Sequence, residues 1–224
     1  DAKTSISVLE AEVRLLKSEG NTLRDDFERP NASTPGADYA DLHAGGGGAG
    51  GLGVLNGVLI WLPSGSGNRW RMYRYTPAQI TTDSFEMNFV LASDPPSTFP
   101  DDAFGYALFR CSDSETSYGR LRIGRTSIAL QAVVTSTVYT LTSESADLRA
   151  GDTVTIIGAK TGETDLHPYR VLRKGQPIID EFTDPDTRVK TGSGFRGMGA
   201  GGETSFRLPI FPPIPTQWVP ASFA

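Results

Sequence analysis

Hydrophobic spacing divides the chain into a short helical start and a long β remainder. Ala2, Ile6, Leu9, Val13 and Leu16 are spaced 4, 3, 4 and 3 residues apart, the a/d alternation of a coiled coil. β-Branched Ile6 and Val13 take the a positions and Leu9 and Leu16 the d positions. Glu12 at g and Lys17 at e suit an ion pair between helices. Ser5 can cap the start, and Gly20-Asn21 is a plausible stop. About two and a half heptads are too few to be stable alone. The stripe therefore reads either as a helix packed on its own domain or as a self-association seam. Its narrowness and charged flanks favour the seam, with Ile6, Leu9, Val13 and Leu16 as the oligomer contacts.

Beyond Leu23 the period becomes two. Phe85, Met87, Phe89 and Leu91 point one way, with Ser84, Glu86, Asn88 and Val90 opposite. Phe104 to Cys111, Ser127 to Val134, Val138 to Thr142 and Thr153 to Ala159 are further strands. Tyr169, Val171 and Arg173 alternate up to Lys174-Gly175, and Pro177 to Phe182 returns, a hairpin in which Gly175 supplies the positive φ of a tight turn. Roughly a dozen strands without intervening helices predict a mainly β, antiparallel jelly-roll sandwich and exclude parallel α/β architectures. The chain thus reads as an oligomerising helix (1–22), a β-sandwich (23–208) and an extended proline-rich tail (209–224).

Composition narrows the function. The 25 glycines and 15 prolines of the 224 residues match a turn-rich fold. A net charge of −5 argues against a dedicated nucleic-acid binder, whose affinity rests on neutralised phosphates. The single cysteine, Cys111, excludes an intrachain disulfide framework. The longest apolar stretch, Val54 to Leu62, is too short to cross a bilayer and contains Asn56 and Gly57, so no membrane insertion is expected. The start lacks a signal-peptide pattern. Only His43 and His167 are present, which excludes multi-histidine metal sites.

Few motifs carry chemistry. Gly48-Ala49-Gly50-Gly51-Leu52-Gly53 matches G-x-G-x-x-G, but a strand and turn follow it rather than a helix, and no acid lies about 20 residues on. The run from Gly45 to Gly53 reads instead as a flexible or tightly packed loop, a place to nestle against a neighbouring chain. Asp180, Glu181, Asp184 and Asp186 cluster at a strand end, where oxygen ligands for Ca2+ or a hydrolytic carboxylate pair would have to come from. A solvated turn is the simpler reading, because Asp184 and Asp186 flank Pro185. No G-x-S-x-G elbow exists, and Cys111 ends a strand instead of opening a helix, so no catalytic residue is assigned. Arg69, Arg71, Tyr73 and Tyr75 share one face of a strand, with Trp70, Met72 and Arg74 on the other. Aromatic faces beside planar donors suit sugars, whose CH faces want π surfaces and whose hydroxyls want donors. These four are the candidate glycan or partner contacts. Arg120, Arg122 and Arg125 form a second basic patch, read as solvated.

Several segments together resemble one family. Leu23-Arg24-Asp25-Asp26-Phe27-Glu28-Arg29-Pro30, the Gly50–Trp61 segment, the hairpin from Tyr169 through Gly175 to Asp184, and Gly194-Phe195-Arg196-Gly197-Met198-Gly199-Ala200 occur in an order similar to that of minor tail proteins from phages infecting actinobacteria. Those proteins carry a concanavalin A-like, laminin-G-like jelly roll. Lys174 stands where that pattern has Asn, and Tyr39 where it has Trp. The resemblance implies a virion component at the tail tip or fibre, made in the host cytoplasm. It further implies a homotrimer, favoured over a dimer, that contacts other tail proteins and host surface polysaccharide, without enzymatic activity. It assigns no binding residue. A secreted carbohydrate-binding module or glycosidase relative, and a purely structural virion component, remain alternatives, since jelly rolls host all three.

Overall fold

The computed structural model describes residues 25, 27–47, 49–64, 68–77, 79–92, 103–114, 116–159, 168–204 and 215–223. The Ile6, Leu9, Val13 and Leu16 stripe lies outside them, as does His167. In chain order the strands are β1 (Tyr39–Gly46), β2 (Ala49–Leu55), β3 (Val58–Ser64), β4 (Arg69–Tyr75), β5 (Ser84–Leu91), β6 (Ala103–Cys111) and β7 (Tyr118–Ile123). They continue as β8 (Ser127–Val134), β9 (Thr137–Ser145), β10 (Thr153–Gly158), β11 (Pro168–Arg173), β12 (Gln176–Thr183), β13 (Gly197–Thr204) and β14 (Pro215–Phe223). One 3-10 turn, Ser193–Phe195, precedes β13.

A seven-stranded sheet of order β1-β4-β13-β6-β7-β8-β9 faces a five-stranded sheet of order β12-β11-β10-β5-β14, and β2 and β3 form a separate hairpin. Phe85, Met87, Phe89 and Leu91 of β5 are buried, as their alternation requires. They meet Ala107, Phe109, Leu121, Ile123, Leu130, Val154, Ile156 and Val171 in one core between the sheets. Leu52, Val54, Leu59 and Trp61 of the β2–β3 hairpin join that core. The hairpin therefore belongs to the sandwich instead of hanging from it.

Alternation fails in β6 because both of its faces are covered. Met72, Tyr106, Leu108, Cys111, Tyr118 and Val133 form a second cluster on the outer face of the seven-stranded sheet, with Trp70 and Phe104 packed against it. Cys111 is fully buried there, and burial pushes its thiol pKa up. Arg120 is not solvated as its sequence context suggests. It is 6% exposed, donates from Nε to Gln131 at 2.8 Å and lies 4.2 Å above the Tyr106 ring. Arg122 stands in the same way over Phe104, at 4.5 Å. The long stems of these arginines pack on rings while the rings' π faces accept the charge.

The proline-rich end is extended, but part of it lies within the sandwich. Residues 215–223 pair antiparallel with β5, from Pro215 opposite Leu91 to Phe223 opposite Ser84. As an edge strand β14 tolerates Pro215 and Pro220, which a central strand would not.

Turn geometry follows the residues. Asn56-Gly57 and Lys174-Gly175 both have positive φ at two successive positions (52° and 72°; 49° and 79°), the type I′ signature of two-residue hairpins. Thr135-Ser136 does the same with φ of 48° and 69° and no glycine. Lys174 has a second role. Its ammonium lies 2.7 Å from Asp152 Oδ1, while Arg173 Nε lies 2.7 Å from Oδ2 and the Arg149 N–H donates to that same oxygen. The Asp152 carboxylate is fully buried, and these partners outweigh burial and hold its pKa below the usual carboxylate value.

Candidate functional site

The site grows from the way β1 and β4 present their side chains. The two strands pair antiparallel with Asp41 opposite Tyr73, which places Arg71 diagonally across from Asp41. Arg71 Nε donates to Asp41 Oδ1 at 2.8 Å, and Nη2 donates to Oδ2. Both side chains reach solvent, at 35% and 51% exposure. The hydrogen bond to Asp41 raises the Arg71 pKa further. The Arg71 guanidinium stands 5.3 Å from the centroid of the Tyr73 ring. Tyr73 is nearly buried, and burial pushes its phenol pKa up even though the Leu52 backbone hydrogen-bonds to it.

Glycine makes this packing feasible. A Cβ on Gly51 would lie 2.1 Å from the Tyr73 hydroxyl and 3.0 Å from Arg71 Cδ, so only glycine lets β2 cross β4 here. A Cβ on Gly45 would lie 2.1 Å from the Trp70 ring, and one on Gly53 would lie 2.6 Å from the Ala32 carbonyl. Gly45, Gly51 and Gly53 are thus tightly packed, with the space of their missing side chains taken by groups of this same chain, and they lie in β1 and β2.

Between β2, β4 and residues 33–37 opens a cleft of about 310 Å³. Asp41, Arg71, Tyr73 and Tyr39 supply its polar and aromatic side. Ser33, Thr34, Pro35, Gly36 and Ala37 form the facing wall, and Gly50 and Gly51 complete the lining. The wall is anchored from beneath. Asp25, itself buried, accepts from the Phe27 N–H at 2.8 Å, the Tyr39 hydroxyl at 2.8 Å and Arg29 Nη2 at 2.6 Å.

Of the four strand residues singled out in the sequence, two meet in the cleft. Arg71 and Tyr73 line it, whereas Arg69 is 3% exposed and lies over the Trp61 ring at 5.9 Å. Tyr75 packs edge-on against Tyr39 at 5.4 Å. Trp70 and Met72 occupy the opposite face, within the outer cluster. Asp41, Tyr39 and the 33–37 wall were not readable as site residues. Only the register between β1 and β4, set by tertiary pairing, brings them together.

The acidic cluster does not converge. Asp180 pairs with Arg170, and Asp186 pairs with Arg188 at 2.5 Å. Asp184 is fully buried and accepts the Val189 N–H at 3.0 Å, closing a turn. Among the described residues, no group of three or more His, Cys, Asp or Glu side chains is arranged to hold a metal ion. Nor is any described helix long and apolar enough to cross a membrane.

The architecture is similar to that of several solved lectin domains. A Lotus tetragonolobus seed lectin superposes with a TM-score of 0.53 at 11% identity, covering 91% of this chain and 99% of that one. The carbohydrate recognition domain of Emp47p gives 0.52 at 12% identity over 91% and 95%, and lectin II from Ulex europaeus gives 0.51 at 12% over 91% and 99%. At such identities the likeness establishes the β-sandwich fold. No curated protein matches the sequence. The model of one family, described as domain of unknown function DUF7257, matches residues 1–224, and the chain belongs to that family.

Proposed function

We propose that the chain is a glycan-binding β-sandwich that acts by adhesion, without hydrolysis, as a minor component of the tail of a phage infecting actinobacteria. One observation carries the reading: an exposed, pre-formed Asp41–Arg71 pair beside the Tyr73 ring in a cleft that Tyr39 and the small residues of 33–37, 50 and 51 complete. Sugar recognition needs a few fixed polar groups next to a surface that admits CH faces. The lectin-like fold and the sequence resemblance to tail proteins support the same reading.

On this reading the Ile6, Leu9, Val13 and Leu16 seam joins copies, with three favoured, on a common stalk. A cleft of this size binds one or two sugar units weakly, and several copies on one particle convert weak binding into avidity. The test is retention of the full chain on intact actinobacterial cells before and after enzymatic removal of their surface polysaccharide. Retention that disappears on stripping is expected. Retention that survives stripping would overturn the glycan reading.

A further inference from the structure

We propose that the cleft is built for uncharged saccharides and engages them through a vicinal diol laid across the Asp41–Arg71 pair. This rests on the glycan-binding reading and specifies its ligand class. An arginine that captures a carboxylate or phosphate presents an open fork of parallel N–H groups. Here the Nε–Nη2 fork of Arg71 is already filled, because both nitrogens donate to Asp41, and an anion on the remaining Nη1 side would sit beside that carboxylate. Among the described lining residues, Arg71 is the one cation and Asp41 the one anion, so the cleft carries no net charge. The next guanidinium along β4, Arg69, is buried over Trp61 and does not line the cleft. That of Arg29 is bound to Asp25. An acidic sugar would have to displace Asp41 or lie against its carboxylate.

Hydroxyl groups meet no such obstacle. Each both donates and accepts, so one hydroxyl of a vicinal diol can donate to an outward lone pair of Asp41 while its neighbour accepts a remaining N–H of Arg71. The pair itself needs no rearrangement, and this is pre-organisation in the usual sense. The Ser33 and Thr34 hydroxyls on the facing wall can take further ring hydroxyls, and Gly50, Gly51 and Pro35 leave a low surface for the CH face.

The experiment is a binding titration of the full chain against a panel of neutral polysaccharides. Each retained polymer is then compared with its derivative carboxylated at the primary alcohol and with its periodate-treated form, in which vicinal diols are cleaved. We expect the carboxylated polymer to bind about tenfold more weakly and the periodate-treated one not at all. Asp41→Asn should weaken neutral binding about tenfold and narrow the gap to the carboxylated polymer, with the unfolding midpoint as the check on fold. Equal or tighter binding of the carboxylated polymer, or indifference to periodate or to Asp41→Asn, would overturn this ligand class while leaving glycan binding standing. Failure of every neutral polymer to bind, with retention on cells still lost on stripping, would likewise overturn this ligand class; the same failure with retention that survives stripping would overturn the glycan reading itself.

Discussion

His43 Nδ1 lies 3.1 Å from the Tyr118 hydroxyl, although β4, β13 and β6 stand between their two strands in the sheet. On a flat sheet four strand spacings amount to about 19 Å, farther than these two side chains reach toward each other. The contact therefore requires a strongly curved seven-stranded sheet, concave toward the outer cluster. Twist of fixed hand accumulates over seven strands and supplies that curvature. The hollow is filled by Trp70, Tyr106, Tyr118, Arg120 and their neighbours.

That contact predicts how stability depends on pH. Burial, and secondarily the Arg120 charge, lower the His43 pKa below its ordinary value. The unfolded chain then binds the proton more readily than the folded one, so stability rises with pH across the interval between the two pKa values. As pH falls through about 6.5, the unfolded value, stability should begin to drop and level off below the folded-state pKa. Denaturant titrations at pH 7.5 and 5.5 check this. His43→Gln should reduce the difference between the two.

Asp152 predicts a second loss of stability, at lower pH, and a mutational cost. Its folded-state pKa is lowered, so its contribution is present above about 3.9 and is lost as pH falls through the folded value. Asp152→Ala removes the acceptor of the Arg149 N–H and releases the solvent-accessible Arg173 and Lys174 to water, and should cost about 1–2 kcal/mol, read from urea unfolding at neutral pH.

The Thr135-Ser136 turn predicts a gain. Left-handed backbone costs an L-residue roughly 1 kcal/mol, and glycine's greater freedom when unfolded takes back part of the difference. Ser136→Gly should therefore raise stability by about 0.5 kcal/mol and shift the thermal midpoint upward.

Gly202 predicts a loss. A Cβ there would lie 2.5 Å from Cε3 of the fully buried Trp61. Gly202→Ala should destabilise by about 2 kcal/mol through overpacking, visible as a lower unfolding midpoint with unchanged slope.

The sequence revealed elements better than surroundings. Period-two runs located β5, β10 and the β11–β12 hairpin because burial of one face dictates alternation locally, whereas β6 and β8, buried on both faces, stood out as near-continuous apolar runs. The faces of β4 were legible for the same reason. Burial of Arg69 and Arg120 was not legible, since whether an arginine is solvated depends on which rings other strands place beneath it. Nor was the role of Gly45, Gly51 and Gly53, which lies in what crosses above them. Asp41 enters the site only through its register against Tyr73, a pairing 32 residues away in the chain. That residues 215–223 pair with β5 was not legible, because extended structure and edge strand share one local signature.

Glycan binding in the Asp41–Arg71 cleft is tested by equilibrium binding of the full chain and of Arg71→Ala to purified actinobacterial cell-surface polysaccharide. An exposed ion pair contributes under about 1 kcal/mol to folding, so the variant should stay folded. The native chain should bind, and Arg71→Ala should lose at least about tenfold in affinity. Undiminished binding by a folded Arg71→Ala protein would contradict binding in this cleft.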